Sequence, residues 1–218
     1  MSALFIIGAG PGIGEAAAEK FGREGWRIVI SSRSPKNLDP LVARLTGKGI
    51  EAHGIVLDAT NAENIRVAMR TADRISGGLT AVLYNAAFVR QQDLFGMTDA
   101  EVESDVAVNI TGGLHAVRAA AEVFNDRGGS ILITGGGLAV SPHASYASLG
   151  AGKAALRNLV EGLAPDLAAR GVKIGTVTVS TLVDPHSAEA HGVADALWTL
   201  ATEPEAAWEI GYPSPSPN

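Results

Sequence analysis

The chain has 218 residues, 46% hydrophobic and 18% charged, enough apolar material for one sizeable core and enough to exclude global disorder. Its 17 Lys and Arg against 23 Asp and Glu leave a formal net charge of −6, a balance that argues against general nucleic-acid binding. Cysteine is absent, which excludes disulfides, thiolate metal sites and a cysteine nucleophile.

The first apolar run is Ala3–Ile7. Met1 to Ile7 has no basic flank and the run stops at Gly8, so it reads neither as a secretory signal nor as a membrane span, and a soluble, cytoplasmic protein is the expectation. Further runs rich in Ile, Val and Leu follow at Trp26–Ser31, Ala52–Leu57, Ala81–Tyr84, Ser130–Thr134 and Val172–Val179. They lack polar alternation, the pattern of strands covered on both faces. Between them lie stretches of helical length: Gly14–Glu24, Pro40–Thr46, Ala62–Ile75, Thr98–Asn125 and Ser148–Ala169, the last expected to kink or break at Pro165. A final helical pattern covers Ser187–Thr202. This alternation predicts an α/β fold, a single doubly wound, Rossmann-type domain over residues 1–212. Its parallel sheet would have about seven strands, with helices on both faces. The tail Pro213–Asn218 is too short and too proline-rich to pack as an element and is expected to fray.

The first strand leads into Gly8-Ala9-Gly10-Pro11-Gly12-Ile13-Gly14 and then a helix. Glycines permit a tight turn and a close backbone approach to a ligand. The helix start offers unpaired N–H groups and a positive dipole end, which suit a pyrophosphate. Gly8, Gly12 and Gly14 fit G-x-x-x-G-x-G.

In these residues the chain resembles the short-chain dehydrogenase/reductase family, and the resemblance continues through Val179. Asp58 and Ala59 stand where that family has an Asp at the end of its third strand, beside the adenine. Asn85-Ala86-Ala87 resembles its N-A-G turn, and Asn109 its mid-helix Asn. The resemblance implies NAD(P)(H) along the carboxyl edge of the sheet. The end of the second strand, Ile30-Ser31-Ser32-Arg33, lacks the acidic residue that favours NAD. Arg33 offers a planar fork to a 2′-phosphate and Ser32 a further donor, so NADP(H) is the expected cofactor. The plainer reading of Arg33 is a solvated surface side chain.

The family's reductases carry a Tyr and a Lys four positions apart on one helix, with a Ser about thirteen residues before the Tyr. Lys153 in Lys153-Ala154-Ala155-Leu156 resembles that Lys. Leu149 then occupies the Tyr position and Gly136 the Ser position, since 149 − 136 = 13 and 153 − 149 = 4. Of the tetrad only Asn109 and Lys153 remain. Tyr146 lies seven residues before Lys153, two turns or roughly 10 Å along a helix. It is either a packed aromatic at the helix start or a displaced acid folded back over the nicotinamide. Ser148, Thr134 and His143 are the other nearby proton carriers.

After the sixth strand, Val179-Ser180 replaces the family's Pro-Gly, and only Thr181–His186 precede the next helix. So short a lid predicts an open or shallow substrate site, or one completed by another subunit. Asp184, His186 and His191 match no ligand motif, and no metal is expected. Two functions follow: an NADP(H)-dependent oxidoreductase acting on a small carbonyl or alcohol, or a non-catalytic NADP(H)-binding sensor or assembly protein on the same fold. Ala116, Ala119, Ala120 and Val123 form a stripe of small apolar residues. The family pairs subunits through such long helices, so a homodimer or homotetramer is expected.

Overall fold

Strand β1 (Ala3–Ile7) sits at the middle of the sheet, and its side chains split by the period of two that governs every strand. Ala3, Phe5 and Ile7 enter one apolar core; Leu4 and Ile6 enter the other. Both faces of the central strands are therefore buried, which accounts for their missing polar alternation; the edge strand at Ala52–Val56 differs from that expectation, with His53, Gly54 and Val56 exposed. The computed structural model describes residues 1–214; positions 215–218 of the expected tail lie outside the described residues.

The remaining strands are β2 (Arg27–Ser32), β3 (Ala52–Val56), β4 (Ala81–Tyr84), β5 (Gly129–Thr134), β6 (Val172–Val179) and β7 (Glu209–Tyr212). Their order is β3-β2-β1-β4-β5-β6-β7. Every pairing is parallel. The helices are α1 (Ile13–Arg23), α2 (Pro35–Gly47), α3 (Ala62–Ser76), α4 (Asp99–Val106), α5 (Gly113–Phe124), α6 (Ala147–Ala168) and α7 (Ala188–Thr202). Phe21 of α1, Leu41 and Leu45 of α2, and Val193 and Leu197 of α7 pack with Leu4 and Ile6. Ile65 and Met69 of α3, Phe124 of α5, and Leu156 and Val160 of α6 pack with Phe5 and Ile7. The chain runs outward through β1, β2 and β3, then crosses back to β4. The carboxyl ends of β1 and β4 thus form the crevice at which doubly wound sheets bind ligands.

Several elements differ from the sequence-based expectation. The seventh strand, Glu209–Tyr212, combines a charged residue and a glycine in four positions, too short and mixed to show a strand period. Helix α2 begins at Pro35 rather than Pro40, with Pro35 in its first turn, where a missing N–H costs no hydrogen bond. Helix α6 runs through Pro165 without a break. Only one turn follows that proline, buried Leu167 anchors it, and the carbonyl that loses its donor belongs to exposed Glu161. The single helix expected over Thr98–Asn125 is α4 and α5 joined by a π-helical segment, Ala107–Gly112. A Thr98–Glu101 capping box starts α4.

The apolar stripe on α5 is also reassigned. Ala116, Ala119 and Ala120 are buried within this chain, in the same core as Phe5 and Val82. Their small size serves the approach of α5 to its own sheet, leaving that stripe no surface for a second subunit.

Candidate active site

The loop after β1 rests on the turn after β4. Gly8 has φ +87°, and a Cβ on it would stand 2.5 Å from the Ala86 backbone; a side chain there would push the two loops apart. Asn85 Nδ2 donates to the Gly8 carbonyl at 2.8 Å, and Thr134 Oγ1 donates to Asn85 Oδ1 at 2.8 Å. Lys153 Nζ then donates to the Thr134 carbonyl at 2.6 Å. These bonds tie the ends of β1, β4 and β5 to the middle of α6. Gly10 and Gly12 have nothing within 4 Å of an added Cβ. Gly12 caps α1 without a side-chain hydrogen bond; Glu15 N–H donates to the Gly10 carbonyl at 2.9 Å, and the Ile13 and Gly14 N–H groups remain at the cavity wall.

The cavity at this edge has a volume of about 1010 Å³, the upper end of the range for small-molecule sites. Its walls carry Gly8, Gly10, Gly12, Ile13, Gly14, Ser32, Arg33, Ala59, Asn85, Ala86, Ala87, Tyr146 and Lys153. Two candidate residues are placed elsewhere. Asp58 turns its carboxylate to Thr60, accepting from the backbone N–H at 3.0 Å and from the hydroxyl at 2.8 Å; those bonds hold it below the usual carboxylate range. Asn109 stands behind the wall. Its Oδ1 accepts from the Phe88 N–H at 2.7 Å and its Nδ2 donates to the Phe88 carbonyl at 3.0 Å, so its amide clamps the Ala87–Val89 wall.

Lys153 is the cationic group at the β5–α6 end. No carboxylate pairs with it among the described residues, and burial pushes its ammonium down to about 8 from an ordinary value of 10.5. Gly136 lies against its stem: a Cβ on Gly136 would sit 3.3 Å from Lys153 Cγ. Leu149, one turn before Lys153, is buried in the same wall. Tyr146 is the residue from which α6 starts, and its backbone pairs with Gln92. Tyr146 precedes the first helical residue, Ala147, with φ −133° and ψ 35°, so helical rotation does not set its direction; it shares the cavity wall with Lys153.

Of the other proton carriers two are engaged, and His143 stands beside Tyr146 with ring centroids 6.0 Å apart. The Thr134 hydroxyl is spent on Asn85. His143 is exposed and forms no part of the wall. Ser148 donates to Asp105 Oδ2 at 2.6 Å. Asp105 is a residue the sequence did not single out. It is fully buried, and it also accepts from Arg90 Nε at 3.1 Å, while Arg90 Nη1 reaches Glu101 at 2.7 Å. This network fastens the loop after β4 to α4 and to the first turn of α6. Asp105→Ala takes the acceptor from the Ser148 hydroxyl and one of two carboxylates from Arg90, which keeps Glu101, and so lowers folding stability, measured by urea denaturation.

Beyond β6 the segment Thr181–His186 forms neither helix nor strand. Ser180 N–H donates to the Tyr212 carbonyl at 2.7 Å, which anchors the start of this segment to β7. Thr181, Leu182 and Val183 reach the cavity.

Comparison with known proteins places this arrangement in context. Residues 2–190 match the short chain dehydrogenase family. Short-chain reductase protein NovJ of Streptomyces niveus is 26% identical over 216 residues, spanning 97% of this chain and 82% of that protein. Dehydrogenase/reductase SDR family member 4 of Homo sapiens is 30% identical over 168 residues, 75% of this chain but only 59% of the human protein. Among solved structures, a short chain dehydrogenase from Mycobacterium smegmatis superposes with a TM-score of 0.91 at 26% identity, covering 100% of this chain and 93% of that one. A dehydrogenase/reductase from Sinorhizobium meliloti 1021 gives 0.86 at 25% identity, covering 96% and 92%.

Proposed function

This chain belongs to the short chain dehydrogenase family, and on that premise we propose that it is an NADP(H)-dependent oxidoreductase acting on a small carbonyl or alcohol. One observation carries the reading: the glycine loop, Arg33, Tyr146 and Lys153 share a single cavity at the carboxyl ends of β1 and β4. The residues present fit the cofactor. A crowded Gly8 holds the loop in place, while Gly10 and Gly12 leave open space beside the Ile13 and Gly14 N–H groups at the start of α1, as a pyrophosphate requires. The wall carries two cations, Arg33 and Lys153, and no carboxylate, so its potential favours an anion.

In this reading the Gly8–Gly14 backbone binds the pyrophosphate, and Ser32 and Arg33 bind the 2′-phosphate. Ala59 on the cavity wall borders the adenine, with Asp58 beside it and its carboxylate held by Thr60; Asn85-Ala86-Ala87 support the cofactor from the β4 side, and Lys153 holds the nicotinamide ribose. When bound, the nicotinamide supplies or accepts the hydride. The departure from the family lies in the proton. Gly136 and Leu149 occupy the family's Ser and Tyr positions, and neither side chain has a proton to give. Tyr146 donates instead: its phenolic proton passes to the carbonyl oxygen as the carbonyl carbon is reduced, and solvent restores it, since the side chain is only half-buried. Tyr146 stands before the first turn of α6, seven residues from Lys153 where the family has four, so the pair is not the family's one-turn couple and turnover is slow. Asn109 takes part indirectly, by holding the wall at Phe88.

The same reading places the protein in the cytoplasm as a homodimer or homotetramer. The support is the family and the cysteine-free, mildly acidic composition; among the described residues no helix is long and apolar enough to cross a membrane. Buried Leu149 beside Lys153 favours a second reading, a non-catalytic NADP(H) sensor.

Cofactor choice tests the nucleotide half of the proposal. NADPH binds at least about tenfold tighter than NADH, a difference of roughly 1.4 kcal/mol, and Arg33→Asp reverses the order by removing the phosphate fork and restoring a ribose acceptor. Titration of both nucleotides by fluorescence reads this directly. Equal affinities in the parent protein overturn it.

A further inference from the structure

We infer that the substrate is an uncharged, predominantly apolar ketone or aldehyde, gripped between Val89 and Leu182 at the mouth of the cavity. The inference rests on the oxidoreductase reading above and names the substrate class for the same site. The end of the cavity around Lys153 is walled by Phe88, Val89, Leu138, Leu149, Leu182 and Val183. Three of its hydroxyls, on Ser141, Ser180 and Thr181, belong to exposed residues, and a Cβ on Gly137 would meet Ser180 Oγ at 2.7 Å; the Thr134 hydroxyl is spent on Asn85, and that of Tyr146 is the proton donor of the proposed function. No carboxylate lines the cavity to receive a cationic substrate. One ammonium, Lys153, is present, but it already donates to the Thr134 carbonyl and its remaining donors serve the cofactor in the proposed function.

Polar recognition at this end is therefore sparse, and apolar burial must supply the binding free energy. Two side chains stand ready for it. Leu182 is 88% exposed and Val89 70% exposed, and they reach the same cavity from different loops, after β6 and after β4. A single exposed apolar residue is ordinary. Two that meet one cavity from separate loops, above a floor of Leu138 and Leu149, make a slot that an alkyl or aryl chain would dry. The loss of a proton-bearing side chain at Leu149 extends that apolar floor towards Lys153, consistent with an apolar group lying along it.

The test compares 2-butanone, 2-hexanone and 2-octanone with 2-oxooctanoate on the NADPH-loaded protein, by NADPH oxidation and by the shift in Tm. The expected result is a rise in kcat/KM of about fourfold for each methylene the slot buries, with 2-oxooctanoate at least tenfold poorer than 2-octanone. Leu182→Asp lowers kcat/KM for 2-octanone by tenfold or more and for 2-butanone by much less, without altering NADPH affinity. Because Leu182 is exposed, the variant folds, which the unliganded Tm verifies. If no ketone is turned over but 2-octanone alone raises the Tm, and Leu182→Asp abolishes that rise, the substrate class stands and the hydride-transfer reading falls. A preference for 2-oxooctanoate, a flat response to chain length in both readouts, or an unchanged response in Leu182→Asp overturns the inference.

Discussion

Replacing Tyr146 with Phe lowers kcat by a hundredfold or more and leaves NADPH affinity nearly unchanged. The size follows from the role: a positioned general acid contributes about 10²–10⁴-fold, and a phenyl ring keeps the packing while removing the proton. The ring sits where α6 starts, its backbone paired with Gln92, and neither feature depends on the hydroxyl. A change confined to kcat, measured by steady-state kinetics beside a nucleotide titration, therefore reports the proton and not the fold. The sensor reading shares the unchanged nucleotide affinity and differs in turnover: none across a broad carbonyl panel, so Tyr146→Phe has nothing to lower. Turnover that survives the substitution removes Tyr146 from the mechanism. With Ser148 donating to Asp105 and Thr134 to Asn85, His143 beside the Tyr146 ring or a solvent molecule then becomes the proton source.

Lys153→Ala damages both binding and turnover. A hydrogen bond from a charged group contributes about 1.5–3 kcal/mol, so NADPH binding weakens by a factor of about ten to a hundred, and kcat falls with it. The pH dependence carries the sharper signature. In the free protein the ammonium loses its proton near 8, against 10.5 for an ordinary lysine, because burial disfavours the charge. An anionic ligand favours the charged form. Affinity is therefore full below pH 8, where Lys153 is already protonated, and falls as the pH rises through that value because binding must then take up a proton. Isothermal titration in buffers of different ionisation enthalpy detects that uptake. Lys153→Ala flattens the pH profile between 7 and 9; a wild-type affinity that stays constant across this range would remove Lys153 from the ribose site.

The glycine loop was legible in the chain itself because its physics is local. A strand, a tight turn and a helix start are contiguous, and Gly8, Gly12 and Gly14 needed no distant partner to be read as a phosphate cradle. Arg33 was readable for the same reason, since the end of β2 is defined by its own apolar run. The double-sided burial of the central strands followed from strands without polar alternation. Residues whose role depends on a neighbour far along the chain were not readable in this way. Asn109 has the family's residue type at the family's position, yet its amide is spent on Phe88, 21 residues away, and only the folded loop decides that. Ser148 reads as a free hydroxyl until Asp105 is packed against it, 43 residues distant. The π-helical turn at Ala107–Gly112 and the inward face of the α5 stripe belong to the same class. Helical periodicity shows that one side is apolar, but not whether that side meets its own sheet or a partner. Local backbone preference and apolar pattern determined the fold and the glycine loop. Tertiary contact decided which polar groups remain free for chemistry, because a buried donor or acceptor must be satisfied and takes whichever partner the packing brings within about 3 Å.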